Sequence, residues 1–320
     1  MSKPEILLVR PIMPLIEEGL TKHFTLHKLA EVGDETAFFR EVGPRIRGVA
    51  AGGAGKADRA LIEKLPALEI IANFGVGYDG IDVKAAAERG IIVTNTPDVL
   101  TGEVADLALG LLLATVRQIP QVDRYLRAGK WLEKPYPLTT TLRERKIGIL
   151  GLGRIGKAIA RRCEAFDLEI AYHGRRRQDD VPYRYYDNLV DMARDVDVLM
   201  VVAPGGDATY HIVNEEVLNA LGPNGILINV GRGTVVDEKA LIAALRDGRI
   251  LSAGLDVFEN EPHVPAELIA MDHVVLLPHV GSASVYTRNA MGQLVVDNLV
   301  SWFEGKGPKT PVPETPWPRK

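Results

Sequence analysis

At 320 residues the chain is too long for one small domain and long enough for two, each with its own core. A formal net charge of −4 with no long basic block argues against nucleic acid or an anionic membrane surface as the main partner, because such binding neutralises several phosphates. The single cysteine, Cys163, cannot form an internal disulfide, which suits a reducing compartment and a cytoplasmic location.

In chain order, the first apolar run, Ile6 to Val9, is cut short by Arg10 and is too brief for a signal-peptide core. Gly48 to Ala51, Leu68 to Asn73 and Ile91 to Thr94 repeat it, separated by helical patterns such as Ala57 to Leu65. This alternation predicts a parallel sheet with helices on both faces. Asn95-Thr96-Pro97-Asp98 ends the series, and Glu103 to Val116 follows as a helix apolar nearly all round, which should be buried between domains or subunits. It contains Asp106 and is too short to span a bilayer. Strands are next expected at Ile147 to Leu150, Leu168 to Tyr172, Val198 to Val202, Ile226 to Val230, Leu251 to Leu255 and Val274 to Leu277, so the second sheet is the longer one. Tyr286 to Phe303 reads as a helix that returns the chain to the first domain. The expected class is α/β: two doubly wound parallel-sheet domains, residues 1–98 plus 286–320 and residues 99–285, with a cleft between them.

Gly151, Gly153 and Gly156 follow the Ile147 to Leu150 run in G-x-G-x-x-G spacing. The first allows a tight turn, the second lets a pyrophosphate approach the backbone, and the third lets the helix pack closely on the strand. Arg154 and Ile155 begin that helix, whose free N–H groups would face the phosphates. The next strand ends where a carboxylate would hold an adenosine ribose, yet the chain reads His173-Gly174-Arg175-Arg176-Arg177. Guanidinium groups suit a 2′-phosphate, so NADP(H) is expected as the preferred cofactor, with NAD(H) possible.

Open α/β sheets bind ligands beyond the carboxyl ends of their strands. Arg232, Glu261 and His279 stand after three successive strands of the second domain. Arginine clamps a carboxylate, histidine exchanges a proton near neutral pH, and glutamate can orient the histidine and favour its charged form.

The motifs GLGRIG, NVGRG, GLDVFENEP and LLPHVGSAS, with Asn73-Phe74-Gly75-Val76-Gly77-Tyr78-Asp79, resemble those of the NAD(P)-dependent D-isomer-specific 2-hydroxyacid dehydrogenases. The likeness covers nearly the whole chain and is greatest to the glyoxylate/hydroxypyruvate reductase branch. It implies a Rossmann nucleotide domain inserted into a flavodoxin-like substrate domain, and a homodimer formed through the nucleotide domain. It implies Arg232, Glu261 and His279 as the catalytic trio, and Val76 and Gly77 as backbone contacts to a substrate carboxylate. Thr101, Ala203, Pro204, Val230 and Asp256 would line the cofactor, and Tyr136 would border the neighbouring subunit's substrate pocket. The implied reaction is NADPH-dependent reduction of a small 2-oxo acid, glyoxylate or hydroxypyruvate, to the D-2-hydroxy acid. Two other readings stay open: a D-lactate or other 2-oxo acid reductase, and a non-catalytic NAD(H)-sensing regulator.

Overall fold

The computed structural model describes residues 3–53 and 55–318. The chain forms two compact units, one from the segments up to Leu100 and from Ser284 onward, the other from Thr101–Ala283. In the first, β1 (Glu5–Leu8), β2 (Thr25–Lys28), β3 (Ile46–Gly52), β4 (Ile70–Phe74) and β5 (Ile92–Thr94) alternate with α1 (Pro14–His23), α2 (Glu35–Glu41), α3 (Arg59–Glu63) and α4 (Val83–Glu88). Among the described residues these strands make a five-stranded parallel sheet in the order β2-β1-β3-β4-β5, the flavodoxin-like arrangement. Ile6, Leu7, Ile70 and Ile71 are fully buried, as continuous apolar runs covered on both faces should be.

The second unit opens with α5 (Thr101–Val116) and α6 (Ile119–Arg127), then winds through β6 (Lys146–Leu150), α7 (Arg154–Glu164), β7 (Glu169–His173) and β8 (Arg184–Tyr186). It continues with α8 (Leu189–Asp195), β9 (Val198–Val201), α9 (Glu215–Leu221), β10 (Ile226–Asn229), α10 (Glu238–Arg246), β11 (Ser252–Leu255), α11 (Ala266–Ile269) and β12 (Val275–Leu276). Its seven described strands are all parallel, in the order β12-β11-β10-β9-β6-β7-β8. The order reverses at β6, and at such switch points doubly wound sheets bind dinucleotides. The last helix, α12 (Val285–Phe303), packs on α1 and β4 of the first unit.

Local chemistry sets most helix starts. Asp34, Asp58, Asp82, Asn188, Asn214, Asp237 and Ser284 each accept a first-turn backbone N–H and so cap α2, α3, α4, α8, α9, α10 and α12. Asp58 trims the helix expected from Ala57 to the shorter α3. The edge strands β2 and β8 were not expected, because Thr25–Lys28 and Arg184–Tyr186 contain no apolar run. The apolar helix α5 packs on α7, β10 and β11 of its own unit, leaving Asp106 and Gly110 exposed. No helix among the described residues is long and apolar enough to cross a membrane.

The glycine turn divides its tasks physically. Gly151 has φ +98°, a conformation that side chains rarely adopt, and a Cβ there would lie 2.8 Å from the Ala203 backbone nitrogen. At Gly156 a Cβ would stand 2.3 Å from the Gly151 carbonyl oxygen, whereas at Gly153 it would meet nothing within 4 Å. Gly156→Ala should therefore destabilise the protein by about 1–3 kcal/mol, because backbone lies on both sides of the clash and the helix propensity gained, about 1 kcal/mol, is smaller. Gly153→Ala should leave Tm nearly unchanged. Thermal denaturation of both variants checks this, and an unchanged or raised Tm for Gly156→Ala would contradict the packing.

Candidate functional site

Because β10, β11 and β12 are parallel neighbours, their carboxyl ends stand side by side, and each is followed by one member of the expected trio. Arg232 is carried by a short loop that is tied at both ends. Asn229 accepts the Gly231 N–H at 3.0 Å and donates to the Arg232 carbonyl at 3.0 Å. Neighbouring backbone presses on both glycines of NVGRG: a Cβ on Gly231 would lie 2.8 Å from the Ala203 carbonyl oxygen, and one on Gly233 only 1.9 Å from the Phe258 carbonyl carbon. Arg232 Nη1 donates to the Gly231 carbonyl at 2.8 Å.

His279 and Glu261 meet directly, Nδ1 donating to Oε2 at 2.6 Å. The other carboxylate oxygen accepts the Phe258 N–H at 3.0 Å. Burial alone would raise the Glu261 pKa, but the hydrogen bond and charge of His279, the Phe258 amide and the charge of Arg232 outweigh it and lower the pKa. With Nδ1 spent on Glu261, Nε2 is the nitrogen left for proton exchange.

The backbone of His279 is itself unusual, with φ +53° in the left-handed region. Asp256 holds it there. Its carbonyl accepts the His279 N–H at 2.9 Å, and its carboxylate accepts Val280 N–H at 2.7 Å and Gly281 N–H at 2.8 Å. Asp256 is 1% exposed, and burial raises its pKa despite those two amides. Sequence reading assigned this residue only to the cofactor; its anchoring of the histidine turn had no signal in the motif. A second pair was also missed: Glu259 accepts from His211 Nε2 at 2.9 Å and so ties the loop after β9 to the loop after β11.

Around the switch point the residues suit a dinucleotide. Unlike the capped helices, α7 begins at Gly153 with no side-chain cap, so the positive end of its dipole suits an anion. Arg154 and Gly153 are exposed there, and Ile155 is half-buried. At the end of β7, His173 Nδ1 donates to the Tyr186 carbonyl at 2.9 Å, and the Gly174 carbonyl accepts from the Tyr185 hydroxyl at 3.2 Å. Arg175 and Arg176 are exposed and make no hydrogen bond or ion pair among the described residues. Of the acids beyond them, Asp180 is held by Lys157 at 2.6 Å. Ala203 and Val230 are buried at the ends of β9 and β10, Pro204 is exposed, and Thr101 opens α5.

Val76 and Gly77 belong to the first unit, in the loop after β4, where their amides donate to no group among the described residues. Tyr136 is not brought together with the trio within the chain. Its hydroxyl donates to Gln118 at 2.9 Å, and its ring meets Tyr125 edge-on at 5.1 Å.

The sequence model of the D-isomer specific 2-hydroxyacid dehydrogenase NAD binding domain matches residues 109–281. A glyoxylate/hydroxypyruvate reductase A of Arabidopsis thaliana is 49% identical over 307 residues, covering 96% of this chain and 98% of that protein. A hydroxyphenylpyruvate reductase of Plectranthus scutellarioides is 47% identical with the same coverage. Among solved structures, an NADPH-dependent glyoxylate/hydroxypyruvate reductase of Sinorhizobium meliloti, in complex with NADP and malonate, is 51% identical with TM-score 0.93, covering 100% of this chain and 99% of that one.

The lowered pKa of Glu261 has a measurable counterpart in stability. A carboxyl with a depressed folded-state pKa contributes stability above its unfolded value, about 4.3, and loses it as pH falls through the folded value. The difference in Tm between wild type and Glu261→Gln should thus be present at pH 6 and shrink steadily below about pH 4. A difference independent of pH would mean that the ionised pair contributes nothing.

Proposed function

Because the chain belongs to the D-isomer specific 2-hydroxyacid dehydrogenase family, we propose that it is an NADPH-dependent reductase of small 2-oxo acids, glyoxylate and hydroxypyruvate among them. The product is the D-2-hydroxy acid. The observation that carries this reading is the His279–Glu261 pair at a strand end, with Arg232 on the neighbouring strand end.

When bound, the reduced nicotinamide supplies a hydride equivalent to the carbonyl carbon. His279 gives a proton from Nε2 to the carbonyl oxygen, so that C=O becomes CH–OH. Glu261, held ionised, keeps the imidazole oriented through its bond to Nδ1. Arg232 binds the substrate carboxylate and stabilises charge as it grows on the oxygen, an effect that is larger in the transition state than in the bound substrate. The amides of Val76 and Gly77 also take the carboxylate. Gly151, Gly153, Arg154, Ile155 and Gly156 would hold the pyrophosphate, and His173, Gly174, Arg175 and Arg176 the adenosine 2′-phosphate. Thr101, Ala203, Pro204, Val230 and Asp256 complete the cofactor's surroundings. The first unit acts as the substrate domain and the second as the nucleotide domain.

The protein works as a cytoplasmic homodimer in this reading. Ile119, Leu126, Trp131, Leu132 and Leu138 support the dimer, since together they expose an apolar surface along one arm of the second unit. Tyr136, in the same arm, would border the partner's substrate pocket. The single thiol, Cys163, is buried and burial pushes its pKa up to about 12, so it is poorly reactive.

Initial rates with glyoxylate, hydroxypyruvate, pyruvate and phenylpyruvate, each with NADPH and with NADH, test the assignment. NADPH with glyoxylate or hydroxypyruvate should be the most efficient combination. Replacing Arg175 and Arg176 together removes two charge-assisted contacts worth about 1.5–3 kcal/mol each. Hydration of the exposed loop favours the lower end, so NADPH preference should fall about 10²-fold with kcat little changed. A preference for NADH in wild type, or a ratio unmoved by the double replacement, would overturn the cofactor assignment.

A further inference from the structure

The loop after β4 owes its shape to side chains far away in sequence. Gly75 has φ +148°, and its N–H donates to the Thr96 hydroxyl at 3.1 Å. The Gly75 carbonyl accepts from Asn73 Nδ2 at 3.1 Å and from the Thr96 N–H at 3.0 Å. Asn73 Nδ2 also donates to the Gly77 carbonyl at 2.9 Å, and Asn95 Nδ2 donates to the Val76 carbonyl at 2.9 Å. The three carbonyls are therefore tied to the body of the unit, while the Val76 and Gly77 amides donate to nothing among the described residues.

Asn95 is fixed in turn by the segment after α12. Its carbonyl accepts from the Thr310 hydroxyl at 2.6 Å, and its N–H donates to the Thr310 carbonyl at 3.3 Å. The same hydroxyl accepts from Asn298 Nδ2 at 2.9 Å. Asn298, 1% exposed on α12, uses its full hydrogen-bonding capacity. Oδ1 accepts Lys309 N–H at 2.9 Å and Thr310 N–H at 3.0 Å, and Nδ2 also donates to the Leu294 carbonyl at 2.8 Å. A second tether reaches the far end of the loop, where the Tyr78 hydroxyl donates to Glu314 at 3.1 Å.

We propose that Asn298, Thr310 and Asn95 form a hydrogen-bonded relay that positions the Val76 and Gly77 amides for the substrate carboxylate, with Tyr78 and Glu314 as its second anchor. These are positioning residues, acting through the loop. The relay rests on the reading of the protein as a 2-oxo acid reductase. Its loss weakens carboxylate binding in the bound substrate and the transition state alike, so it raises KM and spares kcat.

Glyoxylate reduction by the full chain with saturating NADPH tests the relay. Thr310→Val keeps the side-chain shape but removes the hydroxyl that links Asn298 to Asn95, and should raise KM for glyoxylate about 10-fold. Both kcat and the Kd of NADPH should stay within about 2-fold of wild type, and Thr310→Ser should restore KM. Tyr78→Phe should raise KM several-fold by itself, and decides the matter alone if Thr310→Val does not fold. If wild type turns glyoxylate over but these variants keep its KM, the relay is overturned while the functional reading stands. An equal loss in kcat and NADPH affinity, or failure of Thr310→Ser to rescue, also overturns it as general loosening. A wild-type protein that oxidises NADPH with no 2-oxo acid overturns both.

Discussion

Asp256 sits at the end of β11 with its carbonyl on the His279 amide and its carboxylate on the amides of Val280 and Gly281, so three successive peptide groups hang from one buried residue. A left-handed conformation at a non-glycine residue costs on the order of 1–3 kcal/mol and persists only where its surroundings enforce it. At His279 the enforcement is this clamp. It places the residue where its imidazole meets Glu261. Even the following glycine is part of the fit, since a Cβ at Gly281 would stand 3.0 Å from the Asp256 carboxylate.

The same device recurs in other loops. Asn73 and Asn95 hold the carbonyls after β4, Asn229 holds the loop with Arg232, and Asn298 gathers the segment after α12. A buried amide or carboxylate can satisfy two or more backbone groups that no strand ladder reaches, and so it fixes a loop at low entropic cost. Gly153 is the opposite: α7 starts there with no side-chain cap, and the open space around the glycine suits a phosphate.

How much of this could be read from sequence depends on whether a residue's task shows in its type and spacing. The buried strands were legible as apolar runs, and the glycine spacing after β6 was legible as a tight turn into a helix. The edge strands β2 and β8 were not, since Thr25-Leu26-His27-Lys28 and Arg184-Tyr185-Tyr186 owe their conformation to a neighbouring strand. The placement of Arg232, Glu261 and His279 at strand ends was legible because each follows an apolar run. Asp256, Asn73, Asn95, Thr310 and Asn298 act through backbone groups, and Thr310 lies more than two hundred residues from Asn95, so nothing local marks the partnership. The geometry of Tyr136, bonded to Gln118, likewise depends on how the arm folds back on itself.

The proposed function has His279 transfer the proton while a separate part of the same unit holds the cofactor. Its most direct test is His279→Asn, since asparagine tolerates the left-handed backbone and so isolates the imidazole chemistry. Steady-state glyoxylate reduction and the Kd of NADPH should be measured on the same preparation. The expected result is a fall in kcat of at least about 10²-fold, the lower end for general acid catalysis, with NADPH binding within about 2-fold of wild type. A variant that keeps near-wild-type kcat would contradict it.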